Sequence, residues 1–188
     1  MQKYQDSNIF VIYSIVFFCY YISWLLTLEF SKIQNLINLD FSANIASLLF
    51  LPHGIRVLSI CLLGIKAIPI LILASIATGA YYLSINEALI LTFASICGLL
   101  IAFPLLQIPR EGLTLNKINY QFILKVAIAT SITSSILNVI AKFFLDQAIF
   151  NNDNLLFVLP AHIVGDILGS ILCFYIIGKL YSLFKKIS

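Results

Sequence analysis

Two short stretches of this 188-residue chain carry residue types that could do chemistry within an otherwise apolar sequence. The first is Leu51-Pro-His-Gly-Ile-Arg56, in which a helix breaker, a flexible glycine, a titratable imidazole and a permanently charged guanidinium follow one another. The second is His162-Ile-Val-Gly-Asp166. Here a histidine and an aspartate stand at i and i+4, with Gly169 at i+7, so all three share one helix face. An ionised Asp facing lipid costs about 2.5 to 3.5 kcal/mol on insertion scales, so that face must point inward. Gly165 and Gly169 form a small-xxx-small pair that lets another backbone come close.

The elements that must position these residues are membrane helices. Hydrophobic residues make up 61% of the chain, charged residues 10%, and mean hydropathy is +1.04. Soluble domains carry about 25% charged residues, so an integral membrane protein is expected. Apolar segments of about 20 residues, enough for a hydrocarbon core of about 30 Å, recur along the sequence. The reading is an all-α bundle of six transmembrane helices in one domain spanning 1–188, at 9–28, 41–63, 68–83, 87–108, 120–145 and 155–183. The first of these keeps full transmembrane length with no small-residue cleavage site after it, so it is expected to remain as a helix. Its density of aromatic rings suits a peripheral position. The connector 29–40 is read as a surface amphipathic helix or an ordinary loop. On the fifth helix, Thr130, Ser134 and Asn138 at i, i+4 and i+8 form a polar stripe.

Charge sets the orientation. With the N-terminus on the cytoplasmic side, the inner segments hold Lys3, Lys66, Arg110, Lys117, Lys125, Lys179, Lys185 and Lys186, while the outer loops hold Lys32 and Lys142. That bias predicts both termini in the cytoplasm of a bacterial cell, with the bundle in the inner membrane. Net charge is +3, too small to argue for a nucleic-acid partner.

In this topology the second and sixth helices run the same way. His53 lies 12 residues below Phe41 and Asp166 11 residues below Leu155, similar depths of about 18 and 16 Å. Arg56 lies one turn below His53, within reach of Asp166 if the helices are neighbours. The expected site is therefore an intramembrane Arg56–Asp166 ion pair bordered by His53 and His162, with Pro52 and Gly54 shaping the backbone. Arg56 would hold Asp166 or an anionic ligand group, and the histidines would donate hydrogen bonds or respond to pH. The same pair could instead fix helix register alone.

The sequence has no nucleophile elbow, HExxH, P-loop or pair of deep carboxylates, so it is not read as an enzyme. The four cysteines, Cys19, Cys61, Cys97 and Cys173, show no CxxC pair and are read as small core residues. No metal or cofactor is expected.

From Leu51 to Gly64 the chain resembles the first type of the bacterial membrane-associated sensor (MASE) domains. Pro52, Gly54, Ile55, Gly64 and Pro69 match that family's Pro-x-Gly-Ile, Gly and Pro pattern, and Val164-Gly-Asp-Ile-Leu-Gly169 looks like its later Gly-Asp-x-x-Gly helix. The family typically has Trp-Pro-Pro before its glycine, where this chain has Phe50-Leu51-Pro52, with His53 and Arg56 added. Members precede signalling output domains such as histidine kinases or cyclic-di-nucleotide enzymes, which this sequence does not carry. The resemblance implies a sensor-like module that binds a small molecule or signal and passes it to a separate protein. The alternatives are the substrate-binding membrane subunit of a small transporter, or a structural membrane subunit. A second copy of the chain is a further candidate partner, beside the lipid itself.

Overall fold

The structure, a computed structural model, describes residues 2–36, 49–113, 118–145 and 152–187. Among them every regular element is helical: α1 (Gln2–Leu36), α2 (Leu51–Leu63), a 3₁₀ turn (Gly64–Ala67), α3 (Ile68–Gly79), α4 (Ile85–Leu105), α5 (Tyr120–Leu145) and α6 (Asn152–Ile187). A mainly apolar core also encloses many polar side chains, while large apolar side chains cover the outside. Ser23, Thr27, Ser75, Thr92, Ser95, Thr130 and Ser131 are buried, while Phe10, Phe18, Leu73, Leu105, Phe144 and Tyr175 are each more than half exposed. Water would penalise that distribution, whereas a bilayer accommodates it, because apolar surface costs nothing against lipid and buried hydroxyls can bond across helices.

Among the described residues, five segments are long and apolar enough to cross a membrane: Ile9–Ile33, Leu51–Gly79, Ile85–Leu105, Tyr120–Leu145 and Leu159–Leu180. The sequence led to six. The difference arises because α2 and α3 have only 13 and 12 residues, about 20 and 18 Å at 1.5 Å per residue. Taken singly, each falls short of a hydrocarbon core of about 30 Å.

The bonds along α1 show that the chain nevertheless reverses between α2 and α3. The Leu51 N–H donates to Thr27 Oγ1 (3.2 Å), Arg56 and Ser75 both donate to the Tyr20 hydroxyl, and the Tyr13 hydroxyl donates to the Lys66 carbonyl (2.6 Å). Further up, the Trp24 ring packs against Tyr81 and Tyr82. So α2 descends along α1 and α3 climbs back, with the 3₁₀ turn as the tip. A continuous helix would hold Arg56 and Ser75 about 28 Å apart and could not bring both to one hydroxyl.

Glycine makes the tip. Gly64 has φ 61° and ψ −144°, a conformation that essentially only glycine adopts. A loop after α4 closes over it: the Ile65 N–H donates to the Arg110 carbonyl (2.9 Å) and the Leu113 N–H to the Cys61 carbonyl (2.6 Å). A Cβ on Gly64 would sit 1.9 Å from the Arg110 oxygen, and one on Gly112 2.3 Å from the Leu62 oxygen.

Several expected boundaries move. α1 continues through Glu29 to Leu36, so the first part of the 29–40 connector belongs to that helix, and residues 37–48 lie outside the described ones. α2 begins at Leu51, which puts the Pro-His-Gly-Ile-Arg run in its first two turns and not at mid-helix. Pro52 occupies the first turn, where its missing N–H has no helical partner to lose, so it starts the helix and does not kink it. α4 starts at Ile85 behind a capping box, in which Ser84 Oγ accepts from the Glu87 N–H and Glu87 Oε2 accepts from the Ser84 N–H (2.8 Å).

The helices close a ring in the order α1, α3, α4, α5, α6, α2, with α2 also touching α5. Ten of the thirteen α2 residues are buried, which makes it the inner helix. By contrast, only 11% of the most apolar window of α1 is buried, so α1 is the rim.

Candidate functional site

The site is built on the contact between α2 and α6, which glycines make closer than ordinary side chains would permit. A Cβ on Gly54 would stand 2.4 Å from the Gly169 carbonyl oxygen, and a Cβ on Gly169 2.2 Å from that of Phe50. The Phe50 N–H donates to the Gly165 carbonyl (3.0 Å), and Cys173 Sγ donates to the Leu51 carbonyl (3.6 Å). Orphan donors at the start of α2 are thus satisfied by α6 and, through Thr27, by α1.

This approach brings His53 Nδ1 to 3.5 Å from Asp166 Oδ2, with side chains 1% and 6% exposed. Ser135 Oγ on α5 donates to the same carboxylate oxygen (3.1 Å). Three helices therefore meet at Asp166. Arg56, one turn below His53, turns the other way and donates through Nη2 to the Tyr20 hydroxyl (2.5 Å). Its guanidinium lies over the Tyr20 and Phe50 rings, 5.4 and 5.9 Å from their centroids.

The direct Arg56–Asp166 ion pair expected from the sequence is not formed: among the described residues, no carboxylate lies within 4.0 Å of Arg56. The expected depth match counted His53 down from Phe41, whereas α2 starts at Leu51. His53, which that count had already set level with Asp166, faces it, and the Arg56 side chain one turn below reaches Tyr20 on α1 instead. Arg56 still lies near enough to Asp166 and His53 to act on both through space.

Of the other expected site residues, Pro52 and Gly54 are buried in the first turn of α2, and Gly165 and Gly169 face α2. His162 stands apart, partly buried one turn above Asp166, with Nε2 3.0 Å from Lys142 Nζ. Lys142, read from sequence as an outer-loop charge, sits in the last turn of α5. The expected polar stripe on α5 faces α4: Ser134 Oγ donates to the Ser95 carbonyl (2.9 Å), and Asn138 bonds Ser95 Oγ through its amide. A neighbouring pair, Ser131 and Ser135, is buried, and Ser135 binds the carboxylate; their i, i+4 spacing was visible in the sequence. Tyr20 gave no such signal, since it is one ring among many on α1.

Among the described residues, four buried side-chain atoms have no hydrogen-bond partner: His53 Nε2, Arg56 Nε, Ser131 Oγ and Ser170 Oγ. All four belong to α2, α5 and α6. Ser131 stands one turn from Ser135, which donates to the carboxylate, and Ser170 one turn from Asp166 itself. An imidazole held by a carboxylate on one nitrogen presents the other outward as a hydrogen-bonding group. Among the described residues, no group of three His, Cys, Asp or Glu could hold a metal ion. Cys61 and Cys173 are buried, whereas Cys19 and Cys97, expected in the core, lie exposed on the apolar surface.

Compared with known proteins, the chain matches no family model, no curated protein and no solved structure.

Proposed function

We propose that this is a multi-pass protein of the bacterial inner membrane that acts as a sensor-like module. It binds a small molecule or signal at the His53, Asp166 and Arg56 site and passes the event to a separate signalling protein, in the manner its resemblance to the MASE domains implies. The observation that carries the reading is the concentration of unpartnered buried polar atoms on α2, α5 and α6. Buried polar atoms in proteins are ordinarily paired, and each exception asks for a reason. Polar groups at membrane depth that exceed what helix packing uses mark ligand sites.

Orientation follows from charge. Lys66, Arg110, Lys125 and Lys179 belong to the end of the bundle that carries the 3₁₀ turn, and Lys32 and Lys142 to the other. The start of α1 and the end of α6 belong to the first of these ends. The positive-inside rule then turns it to the cytoplasm.

The interruption of Leu51–Gly79 at Gly64 favours a second reading, the membrane subunit of a transporter, because broken helices bind substrates in such proteins. One experiment separates the two. Purification from native membranes in mild detergent is expected to retain a histidine kinase or cyclic-di-nucleotide enzyme whose output changes when Asp166→Asn is introduced. Retention of a nucleotide-binding ATPase subunit, with uptake lost in cells lacking the protein, would replace sensing by transport.

A further inference from the structure

We infer that Arg56 anchors the ligand through an oxyanion group, a carboxylate or a phosphate. The inference rests on reading the α2, α5 and α6 site as a binding site and names the chemical class that it takes. Sequence left two partners open for Arg56, Asp166 or an anionic ligand. The structure gives Asp166 to His53 and Ser135, so among the described residues the protein itself provides no carboxylate within 4.0 Å of the guanidinium.

What Arg56 has is one hydrogen bond to Tyr20 and two ring faces, which suit a cation but do not neutralise it. A guanidinium carries five N–H donors in a rigid fork matched to the two oxygens of a carboxylate or phosphate. At 7% exposure, with Nε buried and unpartnered, that fork is only partly used. A cation at membrane depth with no directly bonded counter-charge is expensive, and an oxyanion both pairs with it and fills its remaining donors.

His53, at i−3 on the same face of α2, adds a second unpartnered nitrogen, Nε2, a turn away. The Asp166 carboxylate beyond it repels a second negative charge, so a group with one anionic end and a neutral polar remainder fits better than a dianion. Such an end can belong to a free metabolite or to an anionic lipid headgroup.

The test uses the full chain in phosphatidylcholine nanodiscs, with its thermal midpoint read against acetate and inorganic phosphate and with chloride matched in every sample. Native protein is expected to gain stability with either probe through preferential binding to the folded state. Arg56→Gln should abolish the gain. Arg56→Lys, which keeps the charge and loses the fork, should weaken apparent affinity by about tenfold or more. If nanodiscs containing phosphatidylglycerol produce the Arg56-dependent gain without added anion, the oxyanion comes from lipid.

Equal responses in native protein and Arg56→Gln would overturn the inference. So would no response in any medium together with a lower midpoint for Arg56→Gln, which would make Arg56 a structural cation. In either case, partner output that still changes with Asp166→Asn leaves the site standing and removes only the ligand class. Output that never changes removes the site reading as well.

Discussion

The approach of α2 to α6 can be tested through three glycines that sit in different surroundings. In Gly54→Ala and Gly169→Ala, the new methyl would meet a carbonyl oxygen at 2.4 and 2.2 Å. Neither obstacle is the tip of a flexible side chain, so the helices themselves must separate by most of an ångström. Overpacking costs about 1 to 3 kcal/mol, and obstruction by backbone places these sites at the upper end. Alanine returns up to about 1 kcal/mol of helix propensity, leaving a net loss of about 2 kcal/mol. In a protein of this size, 1 kcal/mol moves the midpoint by about 2 to 4 °C, so each variant should melt about 4 to 8 °C below native. Gly178 on the same helix has nothing within 4 Å of the point where a methyl would stand, so Gly178→Ala should keep the propensity gain and melt up to about 4 °C higher. Thermal unfolding in one detergent, followed by circular dichroism at the helix band, reads all three. If Gly54→Ala and Gly169→Ala are as stable as Gly178→Ala, the two helices do not touch as described and His53 does not face Asp166.

Further outcomes follow from the same contacts. A double-mutant cycle of His53→Ala with Asp166→Ala should show a coupling of about 0.5 to 3 kcal/mol, larger than that of Arg56→Ala with Asp166→Ala; denaturant or thermal unfolding of the four proteins in each cycle measures it. Tyr20→Phe removes the one hydroxyl that accepts from both Arg56 and Ser75 and should cost about 1 to 3 kcal/mol by the same readout. Ser84→Ala opens the capping box at the exposed start of α4 and should cost about 0.5 to 2 kcal/mol, while hydrogen exchange is expected to rise in the first turn of α4 and not in α2.

Which residues matter was more legible in the sequence than how they pair. His53, Arg56 and Asp166 stood out because charge and imidazole are rare in apolar runs, and Gly165 and Gly169 because small residues recur where helices touch. All five lie at the α2 and α6 contact or one turn from it. The depth count already set His53 beside Asp166; what it could not give was the direction of the Arg56 side chain, which lies against Tyr20 and Phe50. The start of α2 was hidden as well, because residues 41–50 are as apolar as those that follow, and Pro52 reads equally well as a kink or as a first-turn residue. The expected six crossings met a different obstacle. The turn at Gly64 was recognisable, but the lengths on either side of it, 13 and 12 residues, are set by where the chain reverses against α1, a tertiary fact. Tyr20 was hidden for a related reason, since only its neighbours distinguish it from the other rings of α1.

The clasp at the tip of the α2–α3 hairpin bears on the order in which the protein is made. Its two halves, Cys61 to Ile65 and Arg110 to Leu113, are joined backbone to backbone, yet 45 residues separate Ile65 from Arg110 in the chain. At ribosomal speeds of about 5 to 20 residues per second, the second half leaves the ribosome about 2 to 9 s after the first. During that interval the hairpin has α1 beside it but no clasp and no α6, and Arg56 waits for its final surroundings. Insertion of α2 is therefore an early event whose locking is late. A chain stalled after Gly79 has emerged and before Arg110 has would hold a hairpin with both arms made and no clasp.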